Sequence, residues 1–555
     1  MTRRVRYKEF DQISFADMMV YAKLPAHPFW SQLDKEIDFS FADSLCSVLY
    51  SGRGQHPYAP SLKLKIHLVQ TYYGLSDRQV EEKIIGDLFI KRFLGLPVDF
   101  FGFDHSTIGL DRSRMGVAMF KACHFYILAQ MYSRGLFGDH SEKWIIDSFP
   151  SNPALVSRGA YRLIQHAMIR VVQQLKRSHR GVYQLALSSV SCDAMYARVS
   201  HKATPAQHML AFSKLVAQAY GLLQWFQLED VASLLQKELT ENERHTSNVR
   251  QQTLQDILEQ NSRFVPPSDD DSPGPRSSEA KDDGVYEKIP SPDRPKDRIM
   301  SAVDPEARRA MKNRSTVIKG YKVQNMCTTS GVILNVSVVP SNEHDQDAML
   351  PMASEVWHFL GTKPRAVIGD NAYGHGAQRA LFAAWKVPIV APVAPANKPV
   401  AGYDISSFTY DKTQDHYICP NERASVGKRY IRQSKGWQYV FAKKACESCP
   451  LRKDCTSSEK GRRVFRSDYY GLYESAKAYN ATPEGKQDLI TRMIVERKNQ
   501  ELKNDCGLGR PLTRSKKALK VKSYLAAIVV NAKHMLRRLT APKPGFIRRQ
   551  AAAGC

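Results

Sequence analysis

Two aspartates follow short apolar stretches that are typical of buried strands. The apolar run in "KWIIDSFP" ends at Asp147, and the strand-like "RAVIGD" ends at Asp370. A buried carboxylate is costly unless something compensates its charge. If both strands lie in one sheet, the carboxylates meet at its edge, where a divalent cation that prefers oxygen ligands, Mg²⁺ or Mn²⁺, would offset their repulsion. The alternative is that both aspartates only form turns or caps.

Three charged residues near the C-terminus share one face of a predicted helix. In "LITRMIVERKNQELK", Arg492 lies one turn before Glu496, and Lys503 lies two turns after it. Side chains at these spacings line up on a helix. A solvated helix surface explains three such charges equally well, so the helical spacing by itself assigns them no role.

Four of the ten cysteines cluster along the chain: Cys419, Cys446, Cys449 and Cys455. A Cys-x2-Cys pair with two further cysteines nearby can close a tetrahedral Zn²⁺ site. Clustering in a reducing compartment favours a metal over disulfides. Four protein ligands leave no open position, so we expect a structural zinc; the alternative is four unlinked thiols.

The chain is strongly basic. Lys and Arg number 80 against 55 Asp and Glu, which gives a formal net charge of +25 over 555 residues. Such an excess suits nucleic acid, because each neutralised phosphate releases counterions. An anionic membrane surface is the rival partner, but no apolar run approaches the roughly 20 residues that span a bilayer. The basic N-terminus lacks the apolar stretch of a signal peptide. These features predict a cytosolic protein that binds DNA or RNA.

Helical patterns dominate residues 36–135 and 155–262. In the first region Gly74 interrupts the pattern, and Ser76 with Gln79 forms a capping-box pattern that starts the next helix. Helix, short turn and helix is also the outline of a DNA-reading helix-turn-helix, although any helical hairpin shows it. Residues 265–298 are rich in Pro, Ser and Asp and predict a disordered linker.

Strand and helix patterns alternate in the second half of the chain. Predicted strands cover 315–327, 331–340, 365–370 and 387–393, and predicted helices cover 345–360 and 375–386. Together with the strand at 143–147 this pattern predicts an α/β core. Two helices, 483–504 and 514–539, close the pattern, and from Cys506 onward there are twelve Lys and Arg but no Asp or Glu.

The chain resembles the DDE-type transposases of bacterial insertion sequences. The glutamate-bearing helix of that family has the pattern Tyr-x2-Arg-x3-Glu-x6-Lys. Arg492, Glu496 and Lys503 match its last three positions. Asp370 and Tyr373 reproduce an Asp-x-x-Tyr context, and "IIDS" is similar to the strand of the first aspartate. The segments "FADSLCSVLYSGRGQHPYAPSLKLKIHLVQTYYGLSDRQVEEKI", "DPEARRAMKNRSTVIKGYKVQN" and "SNEHDQDAML" are also similar to this family. The resemblance covers about residues 30–540.

This resemblance implies an RNase H-like mixed sheet flanked by helices, with Asp147, Asp370 and Glu496 as the catalytic residues that hold two Mg²⁺ or Mn²⁺ ions. It also implies that Arg492 and Lys503 bind DNA phosphates. The expected partner is double-stranded DNA, both the element ends and the target. We expect no membrane partner, a homodimer on paired ends, and a place in the bacterial cytoplasm at the nucleoid.

The chain departs from the family pattern in two places. Leu489 stands where the family has tyrosine, and a long insert follows Asp147. The expected organisation is a helical N-terminal DNA-binding domain (1–135), the first strand of the catalytic core (140–154), a helical insert (155–262), a disordered linker (263–300), the continued core (301–398), a cysteine-rich insert (399–470), C-terminal helices that complete the core (480–540) and a basic tail (541–555).

Two other classes of function stay open. A DNA-binding repressor without catalysis has no need for three acidic residues, and a metal-dependent nuclease or resolvase would use the same core. Strand joining in the presence of Mg²⁺ separates these functions. Asp304 and Asp345 are weaker acidic candidates, which we expect to cap one helix and to start another.

Overall fold

The structure is a computed structural model that describes residues 5–10, 14–51, 54–135, 142–155, 158–266, 284–311, 315–393 and 403–540. The predicted basic tail, residues 267–283 of the predicted linker and residues 399–402 of the predicted cysteine-rich insert lie outside the described residues. No helix in the described ranges is both long enough and apolar enough to cross a membrane.

The N-terminal part of the chain is helical, as the sequence predicted. Its helices are α1 (Phe15–Lys23), α2 (Trp30–Glu36), α3 (Phe41–Leu45), α4 (Pro60–Tyr73), α5 (Asp77–Gly86), α6 (Leu88–Leu94) and α7 (His105–Ser133). Gly74 ends α4 in the left-handed region with a φ of 68°, which glycine adopts at little cost. Ser76 and Gln79 then form the predicted capping box at the start of α5.

One strand, β1 (Trp144–Ser151), precedes the helical insert. The insert consists of α8 (Ala160–Ser178), α9 (Arg180–Ser189), α10 (Pro205–Gln227), α11 (Glu229–Glu238) and α12 (Glu241–Asn261). An antiparallel pair, β2 (Ser262–Val265) and β3 (Val285–Lys288), lies on the two flanks of residues 267–283, and β3 falls inside the stretch predicted as a disordered linker. These flanks are ordered because their aromatic side chains pack: the ring of Tyr286 stacks on that of Tyr220 at 5.4 Å.

The region in which strands and helices alternate comprises β4 (Arg308–Met311), β5 (Val317–Thr328), β6 (Ile333–Pro340), α13 (Met349–Leu360), β7 (Val367–Ile368), α14 (Gly376–Ala384) and β8 (Ile389–Val390). The predicted order of strands and helices is present, but β7 and β8 are shorter than predicted. Asp345 starts a short 3₁₀ turn ahead of α13. Asp304 caps no helix; it is buried and accepts a hydrogen bond from the Tyr321 hydroxyl.

The cysteine-rich region and the closing helices complete the chain. They comprise β9 (Thr409–Asp411), β10 (His416–Ile418), β11 (Gly427–Ile431), β12 (Gly436–Val440), α15 (Lys443–Glu447), α16 (Arg452–Cys455), β13 (Arg463–Ser467), α17 (Tyr470–Ala481), α18 (Pro483–Thr491), α19 (Met493–Gln500) and α20 (Lys516–Thr540). The helix predicted at 483–504 is interrupted at Arg492 and ends in a π-helical turn, Glu501–Asp505. Helix α17 had no counterpart in the sequence prediction.

The main sheet is mixed. Its strand order is β4-β5-β1-β7-β8, and β6 also pairs with β5. β5 runs antiparallel to β1, β4 and β6, whereas β7 is parallel to β1 and β8 is parallel to β7. The two faces of the sheet are covered by different helices. Trp144 and Ile146 pack into a large core with α7, α13 and α20, and Ile145 packs on the other face with Val495 of α19.

The N-terminal helices share the large core with the sheet. Buried side chains of α4, α7 and α20 and of the sheet form one continuous apolar cluster. The helical insert and the cysteine-rich region each have a core of their own. The chain therefore consists of one main body that contains both its N-terminal and its C-terminal helices, and two inserts that bury their own apolar residues.

Candidate active site at the edge of the mixed sheet

Two aspartates occupy matching positions on neighbouring parallel strands. Ile145 of β1 pairs with Ile368 of β7. Asp147 lies two residues beyond Ile145, and Asp370 lies two residues beyond Ile368, so the register brings both carboxylates to the same level of the sheet. The sequence prediction that the strand ends at Asp147 is wrong. β1 continues to Ser151 because it pairs with β5 along its whole length.

Asp147 faces helix α19. Side chains alternate along a strand, so Asp147 shares the face of Ile145, which packs against α19. There Asn499 Nδ2 donates a hydrogen bond of 3.0 Å to Asp147 Oδ2. Asn499 Oδ1 in turn accepts one of 3.0 Å from Nδ2 of Asn325, the β5 residue paired with Asp147. Both asparagines are buried, so the Asp147 carboxylate is held by a chain of amides.

The electrostatic surroundings of Asp147 bring the other charged residues into the site. Burial, the largest cause, and the negative charges of Asp370 and Glu496 together raise the pKa of Asp147 to about 6. A backbone hydrogen bond from Ser148 and the positive charge of Arg492 act in the opposite direction. The charges of Asp370 and Glu496 therefore act on Asp147, and such repulsion between carboxylates is the kind that a cation relieves.

Asp370 is held by the turn that follows β7. Its Oδ1 accepts a hydrogen bond of 2.8 Å from the backbone N–H of Ala372. Tyr373, the family-like tyrosine, is buried beneath this turn and donates its hydroxyl hydrogen to Gln324. Gln324 also donates a hydrogen bond of 2.7 Å to Asp345. Tyr373 therefore anchors the turn of Asp370 to β5 and is a structural support.

Glu496 of α19 and Arg492, the N-cap residue of that helix, form an ion pair. Arg492 Nη2 lies 3.1 Å from Glu496 Oε1, and the Glu496 side chain is about half exposed, at 53%. The predicted alignment of these two residues on one helix face is thus present. Lys503 differs, because it lies exposed in the π-helical turn, which carries it out of the regular α-helical spacing. Its predicted alignment with Glu496 assumed a continuous α-helix.

The helix ahead of Glu496 is clamped to the start of β1. Lys143 Nζ makes ion pairs of 2.7 Å with Asp488 and 2.9 Å with Glu484, both on α18. Leu489, the departure from the family pattern, packs with the apolar cluster around Ile145. The clamp and this packing fix α18, and through it the start of α19, against the strand of Asp147.

The donor set at this edge fits a hard divalent cation by its chemistry, because it consists of carboxylate oxygens whose repulsion a cation would relieve. As their side chains stand, however, no three His, Cys, Asp or Glu residues within the described ranges form a group that could hold an ion. The Glu496 carboxylate is instead exposed and paired with Arg492.

The four clustered cysteines line one small cavity in the cysteine-rich region. All nine cysteines in the described ranges are free thiols. Backbone N–H groups of Arg423 and Arg462 donate hydrogen bonds of 3.4 Å to the sulfurs of Cys419 and Cys446. Burial raises the pKa of Cys455, and the neighbouring cysteines add to this shift. Cysteine sulfurs that accept hydrogen bonds from backbone N–H groups are suitable ligands for zinc. Like the carboxylates of the acidic site, however, these four sulfurs are not arranged as a ligand group within the described ranges.

Sequence reasoning missed the two asparagines. Asn325 lies in the buried stretch 323–328 of β5, and Asn499 lies three residues after Glu496 on the same helix. A buried asparagine in such surroundings needs a hydrogen-bonding partner, and that requirement was the available signal. It did not point to Asp147, because the pairing of β5 with β1 was unknown.

Two stretches of the chain match described protein families. Residues 18–114 match the family described as "Transposase domain (DUF772)", and residues 418–536 match the "Transposase DDE domain". No curated protein was found to match the chain. The second match contains Arg492, Glu496 and Lys503, and the first covers α2 to α6. Both matches support a DDE-type transposase of insertion sequences, an enzyme that cleaves DNA and transfers its strands.

Proposed function

We propose that this transposase binds the ends of its insertion sequence and that Asp147, Asp370 and Glu496 are the catalytic residues for cleavage and strand transfer. The observation that carries the assignment is the parallel register that puts Asp147 and Asp370 at one level of the sheet. The effect of Asp370 and Glu496 on the pKa of Asp147 supports it.

We assign the main sheet to an RNase H-like core. The order β6-β5-β1-β7-β8, with β5 antiparallel to both of its neighbours, supports this assignment. The large apolar core supports a single body that contains both the predicted N-terminal domain and the C-terminal helices. It does not support an independent N-terminal domain. Within that body the N-terminal helices contribute to DNA binding.

The three carboxylates would hold Mg²⁺ or Mn²⁺, which lower the pKa of the attacking water or 3′-hydroxyl and stabilise the leaving oxygen. Asn499 and Asn325 orient the Asp147 carboxylate. Arg492 is close enough to Glu496 to exchange that carboxylate for a DNA phosphate. Lys503, exposed in the π-helical turn, would contact a phosphate beside the reacting bond.

We further propose that the four cysteines hold one structural zinc, which would fix α15 and α16 against β10. Each chain has one acidic site, and an element has two ends, so two chains acting together would serve the paired ends. Because the substrate is DNA, we place the protein in the bacterial cytoplasm at the nucleoid.

The test is incubation of purified protein with labelled element ends, a target plasmid and Mg²⁺. Cleavage at the element boundary followed by joining to the plasmid supports the proposal. Cleavage without joining would instead favour a nuclease or resolvase, and end binding without cleavage would favour a repressor.

A further inference from the structure

Helix α8 of the helical insert carries a stripe of basic side chains. Arg162, His166 and Arg170 recur every four residues, and Arg177 follows after seven more. These spacings place all four on one face of a helix. The helix contains no Asp or Glu between its first and last residues. Arg162 and Arg177 are exposed, and Arg170 is half-buried.

A further arginine joins this face from the neighbouring helix. Arg250 of α12 is half-buried and donates a hydrogen bond of 2.8 Å to the backbone oxygen of Arg170, which brings it to α8. Burial lowers the pKa of Arg170, and the nearby charge of Arg177 lowers it further. Burial and the charges of Arg170 and Arg177 likewise lower the pKa of Arg250. We call Arg170, Arg177 and Arg250 the arginine cluster.

Within the described residues, the arginine cluster has no ion pair to an acidic side chain. The ion pairs of the insert's described residues join Lys214 to Asp193, His179 to Glu238 and Arg263 to Glu287, and none includes a member of the cluster. Glu243, near the end of α8, is bonded to Thr240. In addition, Arg170 Nε is buried without a hydrogen-bond partner. Three cations are thus held together at a cost that an anion would remove.

The dimensions of the stripe favour an extended polyanion over a small one. At about 1.5 Å per residue, Arg162 and Arg177 lie about 22 Å apart along α8. A DNA strand presents a phosphate about every 3.4 Å along the helix axis, so one duplex can reach every arginine of the stripe, whereas a single free phosphate can reach only a part. Guanidinium groups also match phosphate oxygens in a two-pronged geometry.

We propose that the arginine cluster and the stripe on α8 bind the DNA backbone, so that the helical insert is a DNA-contact surface separate from the acidic site. This inference rests on the proposed function, because it presumes that the protein binds DNA. It gives the long insert, which interrupts the catalytic core after its first strand, a role in holding the substrate.

The test uses the full-length protein and a fluorescently labelled duplex of random sequence, with binding measured as a function of salt. The variant Arg170→Gln/Arg177→Gln/Arg250→Gln should reduce the slope of log affinity against log salt by about 2.7, since each phosphate contact contributes about 0.9. The matched control Lys202→Gln/Lys214→Gln/Lys237→Gln removes three exposed charges from the same insert and should leave most of the slope in place.

A second readout separates binding from folding. Because the substitutions remove repulsion, the melting temperature of the cluster variant should equal or exceed that of the wild type. The single exposed change Arg177→Glu should weaken binding more than Lys237→Glu does, and it requires no change in the interior. A cluster variant with wild-type slope and affinity, or a control that loses as much as the cluster, would overturn the inference alone. A wild-type protein that binds no duplex would overturn the proposed function as well.

Discussion

Asn499 holds Asp147 from the helix that also carries Glu496. The hydrogen bond from Asn499 Nδ2 to Asp147 Oδ2 measures 3.0 Å, and the second one, from Asn325 to Asn499, has the same length. Helix α19 is therefore tied to β1 and β5 by polar contacts at the level of the site. An amide can donate to the carboxylate without neutralising it, so it fixes orientation and leaves the charge available.

The first prediction concerns this contact. Asn499→Ala should slow single-turnover cleavage by about 10- to 100-fold, the usual effect of losing a group that orients a metal ligand, and should raise the Mg²⁺ concentration needed for half-maximal rate. DNA affinity should not change. Asn261→Ala is the matched control, because Asn261 is buried in the insert and its side-chain amide donates a hydrogen bond to Ile257 of its own helix. An unchanged Mg²⁺ dependence in Asn499→Ala would show that Asn499 is structural.

The second prediction concerns the acidic residues. Asp147→Asn, Asp370→Asn and Glu496→Gln should each abolish cleavage while leaving end binding nearly intact, because metal ligation needs the carboxylate charge and most DNA affinity comes from the basic surface. Gel-shift binding and cleavage assays on the same preparations measure both effects. Strand transfer near the wild-type rate in any one variant would remove that residue from the site.

The third prediction concerns the two basic residues of the C-terminal part. Lys503→Ala and Arg492→Ala should each slow cleavage by about 10- to 100-fold at saturating DNA, since one charge-assisted contact is worth about 1.5–3 kcal/mol. Lys486→Ala is a suitable control, because Lys486 is exposed on α18 outside the family pattern. Unchanged rates in both variants would mean that these side chains belong to an ordinary charged helix surface.

The fourth prediction concerns the cysteines. Protein purified without chelator should contain about one zinc per chain, and Cys446→Ser or Cys449→Ser should lower this content. Cys506→Ser removes a buried cysteine outside the cluster and should leave zinc unchanged. Elemental analysis of folded protein decides the matter, and a zinc-free wild type would contradict the proposal.

The fifth prediction concerns Asp304. Burial raises its pKa to about 6, above its ordinary value, so the folded state favours the protonated form. The stability this gives is present at acidic pH and is lost as the pH rises through about 6. Asp304→Asn, which can still accept from Tyr321, should therefore melt at a higher temperature than the wild type at pH 8 and at a similar one at pH 4. A difference that does not vary with pH would contradict the shift.

Much of the fold was predictable because it depends on local patterns. The junction at Gly74 and the capping box of Ser76 follow from backbone preferences of single residues, and the structure has both. The end of β1 was mispredicted, because a strand continues as long as its partner pairs with it, and the partner β5 lies more than 150 residues away. No local pattern marks such a partner.

The candidate site was predictable only in part. The spacing of Arg492 and Glu496 follows from helix geometry, and the ion pair between them is present. The position of Lys503 does not follow from α-helical geometry, because the π-helical turn changes the number of residues per turn. Asn499 became visible only when β5 and α19 met at Asp147. The arginine cluster likewise depends on the packing of α12 against α8.

The position of α20 has a consequence for synthesis of the chain. This helix, the last one within the described residues, lies in the same apolar core as α4, α7 and β6, and its buried residues extend to Leu536. The earlier elements therefore complete the burial of their apolar faces only after α20 has left the ribosome. Glu496 also emerges late, so a nascent or prematurely terminated chain has neither a closed core nor a complete acidic site. Folding of the main body thus requires synthesis of the chain at least as far as α20.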